Sequence, residues 1–210
     1  MQGRKLAAYV AQRVADGGAL WCFAYGSLMW RLPPGCVAVR TARATLLGHR
    51  RSFCVPSLTY RGTPQRPGLA LGLEPSDPAD ACEGVALCLG EASVAAAIRS
   101  LETIDSQEMV DDHSPPVYVR SELQLHLAGS EGEWPTTVSA MAYVANPAAC
   151  VPRAMPVAER AGVIAAARGE RGPNREYIEQ TCAQLHGLQV HDAHVESVAH
   201  MVAQLVAARR

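Results

Sequence analysis

The stretch Trp21–Trp30, reading WCFAYGSLMW, constrains this chain more than any other. Its apolar first half predicts a buried strand over residues 20–26, broken by Gly26-Ser27 into a tight turn. Successive backbone N–H groups in such a turn point the same way and can hold a carboxylate or a developing oxyanion. Many strands end in Gly-Ser, so the turn acquires meaning only beside a catalytic partner.

Around it the pattern is one of strands first and helices last. Residues 5–16 place Leu6, Ala7, Val10 and Val14 on one helical face, and Gly17-Gly18 stop that helix. A β-rich stretch spans Val37 to Val55, and the proline- and glycine-laden segment 56–68 predicts a structured loop. Strands follow at about 68–74 and 83–89, then a helix over 91–104 with Val94, Ala97, Ile98, Leu101 and Ile104 along one face. After a loop at 105–116, Val117, Val119, Leu123, Leu125 and Leu127 alternate with Tyr118, Arg120, Glu122, Gln124 and His126. That alternation predicts a strand with the first set buried and the second wet. Another strand covers 136–145. The last third is helical: one helix starts at Pro173-Asn174 and ends at Gly187, and Asp192 caps another with Val195, Val198, Val202 and Leu205-Val206 as its seam. The expectation is an α+β fold, its sheet either open or curled into a barrel, forming a single domain over 1–210.

Composition excludes several classes. The formal net charge is −1, so no global excess advertises nucleic acid or an anionic membrane. No run approaches the roughly 18 apolar residues of a membrane span, and residues 6–10 are too short an apolar stretch for a signal peptide. Seven cysteines form no CxxC pair, and Cys22, Cys54 and Cys88 lie in apolar runs, which suits free thiols in a reducing, cytoplasmic setting. The oligomeric state is not encoded in any pattern.

Candidate chemistry narrows by comparison with plainer readings. His191 and His194 stand three apart, with His186 and His200 nearby, but His191 precedes the helix cap; scattered surface histidines explain them better than a metal site. Ser27 follows a glycine without a GxSxG frame, and no cysteine sits in a recognisable electropositive turn beside a histidine. Arg50, Arg51, Arg61 and Arg66 crowd around the 56–68 loop, where one of them could take a small carboxylate instead of forming local ion pairs. In the segment DSQEMVDDHSPP, Glu108 alone among the acids Asp105, Glu108, Asp111 and Asp112 leads directly into apolar neighbours, Met109 and Val110. The competing reading is a solvated acidic loop.

These pieces, taken in order, resemble the ChaC-like, glutathione-specific γ-glutamylcyclotransferases over nearly the whole chain. The glycine loop is FAYGSLMW, and the arginine-rich segment is GHRRSFCVPSLTYRGTPQRPGLALGL, followed by CEGVAL. The late elements are AMAYVA and GPNREYIEQTCAQLHGLQVHDAHVESVAHMV. The family's catalytic glutamate follows an arginine and precedes Gly-Gly-Tyr; here Gln107-Glu108 precede Pro115-Pro116-Val117-Tyr118, so the glutamate stays while the arginine and glycines do not.

The resemblance implies a small closed or nearly closed β-barrel flanked by helices. It implies cleavage of glutathione to 5-oxoproline and cysteinylglycine, with no cofactor and no metal. Glu108 is then the general acid/base, its basicity raised by burial beside Met109 and Val110 and by the lack of an adjacent arginine. Ala24, Tyr25, Gly26, Ser27, Leu28 and Met29 are expected to form the substrate cradle. Tyr118 and Tyr143 would orient the γ-glutamyl end, and Arg61 would hold the glycine carboxylate. Two alternatives stay open: a cyclotransferase for other γ-glutamyl peptides or amines, and a non-catalytic γ-glutamyl-binding module.

Overall fold

The computed structural model describes residues 8–12, 19–90, 93–109, 114–128 and 136–208, in two compact units built from interleaved segments of chain. Residues 8–12 are helical, whereas 5–7 and 13–18 of the expected first helix and its Gly-Gly stop lie outside the described residues. So do residues 91–92, Val110, Asp111 and Asp112.

The first unit takes residues 1–50, 75–110 and 119–144. Its centre is a closed five-stranded barrel in the order β1 (Leu20–Ala24), β5 (Ala81–Gly90), β2 (Arg40–Leu47), β6 (Tyr118–Leu127) and β7 (Thr137–Ala145). A parallel pairing of β1 with β7, Trp21 beside Ala140 and Cys22 beside Met141, closes the ring. β1 therefore has a neighbour on each edge, and all five of its residues are buried, as its unbroken apolar sequence requires. The α+β barrel is the expected architecture.

Helix α1 (Val94–Glu108) packs on β5. Ser93 caps it, its hydroxyl accepting the N–H of Ala96. Gly90 lets the helix approach closely, because a Cβ there would stand 2.8 Å from that of Ala97. The buried hydroxyl of Ser100 accepts the N–H of Val37 and ties the same helix to the segment before β2. The helix runs four residues beyond its expected end at Ile104. Its final turn is held by polar partners instead of apolar ones, which is why periodicity stopped short.

In β6 the expected alternation holds only for the second half. Leu125 and Leu127 are buried, but Val119 is 50% exposed while Tyr118 is buried and the Arg120 side chain is 3% exposed. The inward parity changes across Ser121-Glu122. Tyr118 and Arg120 can be buried because their polar ends have partners, as described below.

The second unit comprises residues 51–74, 111–118 and 145–210. The end of β3 (His49–Ser57) lies beside β4 (Gly68–Pro75). Three helices accompany them: α2 (Val157–Ala166), α3 (Asn174–Gly187) and α4 (Ala193–Ala207). The first of these was not expected from the sequence, nor was the short ladder of β8 (Arg168–Gly169) with β9 (Gly172–Pro173). Asn174 fastens α3 to β4 as a strand would, accepting the N–H of Leu69 at 2.7 Å and donating to its carbonyl at 2.9 Å. Asp192 caps α4 as expected, accepting the N–H of Val195 at 3.0 Å. None of the described helices is long and apolar enough to cross a membrane.

Candidate functional site

The buried strand β1 ends at Ala24, and the chain turns through Gly26 into a single 3-10 turn, Ser27–Met29. Within it the N–H of Met29 donates to the Gly26 carbonyl at 3.0 Å, and those of Trp30 and Arg31 donate to the Ser27 carbonyl at 3.1 and 2.8 Å. The N–H groups of Ser27 and Leu28 precede these bonds, as first donors of any helical turn do. Of the six residues expected in the cradle, Met29 thus uses its amide inside the turn, and Ala24 is fully buried in the β1–β5 ladder opposite Val85. Tyr25 is 6% exposed, and its hydroxyl donates to the Tyr143 carbonyl at 2.6 Å. One cradle residue and one expected tyrosine are thereby joined directly.

Glu108 is the last residue of α1, not part of a loop, and it is half-buried. Its Oε1 accepts the side-chain amide of Gln107 at 2.9 Å, and Gln107 itself is buried. The residue standing where the family has arginine therefore orients the glutamate with a neutral donor. Glu108 thus stands at the negative end of the helix dipole.

The same turn of helix carries Asp105. Its Oδ1 accepts the hydroxyl of Tyr143 at 2.7 Å, and its Oδ2 pairs with the guanidinium of Arg120. Tyr143 is 1% exposed. Burial pushes its hydroxyl well above the ordinary tyrosine value, and negative charge at Cys22, Asp105 and Glu108 pushes it further. The Cys22 thiol is likewise driven up by burial first and then by Glu108, Cys36 and Asp105. Both groups are neutral near pH 7. Glu108 is near enough for its carboxylate to act on both Tyr143 and Cys22.

Two expected site residues belong to the second unit. The Arg61 side chain is 8% exposed, and its guanidinium donates to the carbonyls of Arg171 at 2.7 Å and Pro173 at 3.3 Å. It also faces Glu176 at 3.8 Å and lies 5.7 Å from the Tyr177 ring centre. Tyr118 donates its hydroxyl to the Leu71 carbonyl at 2.7 Å. Of the other arginines considered for an anion, Arg51 has a fully buried side chain facing Asp192 at 3.0 Å. Sequence reasoning missed Asp105 and Arg120. The available signal was the i, i+3 spacing of Asp105 and Glu108, visible only to a reader who continued the helix past Ile104.

Residues 20–205 match the family model described as ChaC-like protein. The chain is 30% identical over 206 residues to the glutathione-specific γ-glutamylcyclotransferase of Escherichia coli, covering 96% of this chain and 80% of that one. It is 29% identical over 193 residues to γ-glutamylcyclotransferase 2-3 of Arabidopsis thaliana, covering 90% of each. Its fold is similar to the crystal structure of a yeast γ-glutamylcyclotransferase specific to glutathione. The TM-score is 0.75 at 20% identity, over 89% of this chain and 96% of that one. A buried strand running into a glycine turn, a closed barrel, and a family match through both units lead to one conclusion: the chain belongs to the ChaC-like family.

Proposed function

We propose that this protein is a glutathione-specific γ-glutamylcyclotransferase, a lyase that closes the γ-glutamyl unit of glutathione into 5-oxoproline and releases cysteinylglycine. The reading rests on the activities for which its relatives are named and on one local observation. A half-buried glutamate, oriented by Gln107 and electrostatically coupled to Cys22 and Tyr143, ends a helix in the unit that also holds the Gly26-Ser27 turn. The family match runs through both units, which supports treating residues 1–210 as one functional domain. Seven free cysteines support a reducing, cytoplasmic setting.

The α-amine of the γ-glutamyl unit attacks its own side-chain amide carbon, and the bond from that carbon to the cysteinyl nitrogen breaks. Both reacting groups belong to one molecule, so folding the substrate into the reactive shape contributes roughly 7–11 kcal/mol in favourable cases. Glu108 takes the proton of the ammonium and delivers it to the departing amine. The second proton, shed by the ring nitrogen once the new C–N bond has formed, passes by the same carboxylate to the cysteinyl amine, which departs as an ammonium and leaves Glu108 ionised again. With ordinary pKa values of about 8 and 4.3, that first transfer costs about 5 kcal/mol. The negative end of α1 works against this cost by favouring the proton on the carboxyl. The amides of Ser27 and Leu28 receive the charge that develops on the attacked carbonyl oxygen. One well-placed donor of that kind is typically worth about 2.7–4 kcal/mol.

Purified protein incubated with glutathione is expected to release 5-oxoproline, while Glu108→Gln, equal in shape, loses at least about a hundredfold in kcat. Near wild-type turnover by Glu108→Gln would reject the assignment of the base. Turnover of γ-glutamyl-alanine matching that of glutathione would reject the specificity.

A further inference from the structure

The proton transfer leaves one charged cluster without a task. Asp105 stands one turn before Glu108 on the same face of α1. It is bonded to two barrel strands at once, through Tyr143 on β7 and Arg120 on β6. A carboxylate paired with arginine accepts only, so the Tyr143 hydroxyl is the donor and its orientation is fixed. The Tyr143 carbonyl in turn receives the Tyr25 hydroxyl at 2.6 Å. An unbroken series of bonds therefore leads from the glycine turn through Tyr25, Tyr143 and Asp105 to the helix that carries Glu108.

We propose that Asp105 is a positioning residue that sets the placement of Glu108 relative to the Gly26-Ser27 turn. The assignment rests on the reading of Glu108 as the proton carrier. Two levels of control are needed to place a carboxylate at a helix end, where the last turn has no following turn to hold it. Gln107 orients the glutamate with respect to its own helix. Asp105 holds that helix end on the barrel wall. Arg120, with its side chain 3% exposed, gives Asp105 an ionic partner on the neighbouring strand and so fixes the carboxylate between β6 and β7. A displacement of about 1 Å in a reacting group is worth on the order of a hundredfold in rate.

The test separates the acceptor from the charge. Asp105→Leu with Arg120→Met removes both, and leaves no buried charge behind. Asp105→Asn with Arg120→Met removes the charge but keeps an oxygen for the Tyr143 hydroxyl. On glutathione the leucine pair is expected to lose tenfold to a hundredfold in kcat, with KM within about threefold of wild type. The asparagine pair recovers most of that loss. Adding Tyr143→Phe to each pair erases the difference between them, since the acceptor then has no hydroxyl to hold.

Equal kcat for the two pairs would overturn the proposal, as would a difference that persists beside Tyr143→Phe or a loss confined to KM. Should the leucine pair not fold, Asp105→Ala with Arg120→Met takes its place in the same comparison. Failure of the functional reading is distinguishable. In that case the wild-type protein releases no 5-oxoproline, or Glu108→Gln retains full turnover, before any Asp105 variant is measured.

Discussion

At the scale of single residues, glycines in this chain do opposite things according to what surrounds them. Gly84 on β5 has no room for a side chain: an added Cβ would lie against the Ala24 carbonyl and 2.9 Å from the Phe23 ring. Ala24 is the last residue of β1, just before the Gly26-Ser27 turn that we propose as the substrate cradle, so the strain would be delivered where the proposed chemistry depends on geometry. Gly84→Ala is expected to cost about 1–3 kcal/mol in urea unfolding and to lower kcat/KM for glutathione. Gly162 in α2 meets nothing within 4 Å, and Gly162→Ala should instead stabilise by about 0.5–1 kcal/mol. Equal effects from the two substitutions would contradict the packing argument. Such distinctions are invisible in sequence, where neither glycine shows what will surround it. Glu108 could be singled out in the sequence because its apolar neighbours set it apart from three other acids. Asp105 was not, because its value comes entirely from Tyr143 and Arg120, which reach it from strands far along the chain.

At the scale of elements, caps and apolar stripes were readable, and polar anchoring was not. Asp192 announces α4 by its residue type and position, and the structure uses it as the cap. What the sequence conceals is its ion pair with the fully buried Arg51 side chain at 3.0 Å. Asp192→Asn keeps an oxygen for the Val195 amide while leaving that guanidinium without its counter-charge, and should cost roughly 3–5 kcal/mol in urea unfolding. Asp192→Ala loses the cap as well, adding about 1 kcal/mol. Combining Asp192→Asn with Arg51→Met is expected to restore most of the loss, because no buried charge then remains. If Asp192→Asn alone is neutral, the pair contributes nothing to holding α4. The same principle explains why α1 was expected to end at Ile104. Its last turn is fixed by Asp105 and by the buried Gln107, and hydrophobic periodicity does not register polar side chains whose partners come from elsewhere. In β6, likewise, Tyr118 and Arg120 reverse the expected inward face because each finds a partner for its polar end.

For the molecule as a whole, the barrel depends on a contact that no local pattern can reveal. β1 and β7 are more than a hundred residues apart in sequence, yet their parallel pairing closes the ring. Alternation marks the strands but not their neighbours; closure was anticipated only through family resemblance. At that seam sits Cys22, beside Met141 and fully buried. With a formal net charge of −1, long-range repulsion is a weak influence on stability near neutral pH. Burial raises the folded-state pKa of Cys22 above its ordinary 9.0, so the folded protein holds this proton more tightly than the unfolded chain. The stabilisation is fully present below about pH 9 and is lost progressively as pH climbs towards the raised folded value. Between pH 8 and pH 10 this one thiol should remove about 1.4 kcal/mol from the unfolding free energy. Under reducing conditions, wild-type protein is therefore expected to lose about that much more stability over the interval than Cys22→Ala. The cavity left by the alanine shifts both ends of the comparison equally and cancels. Parallel pH profiles for the two proteins would mean that the barrel seam already admits water to the thiol, and that the ring is not closed where Cys22 lies.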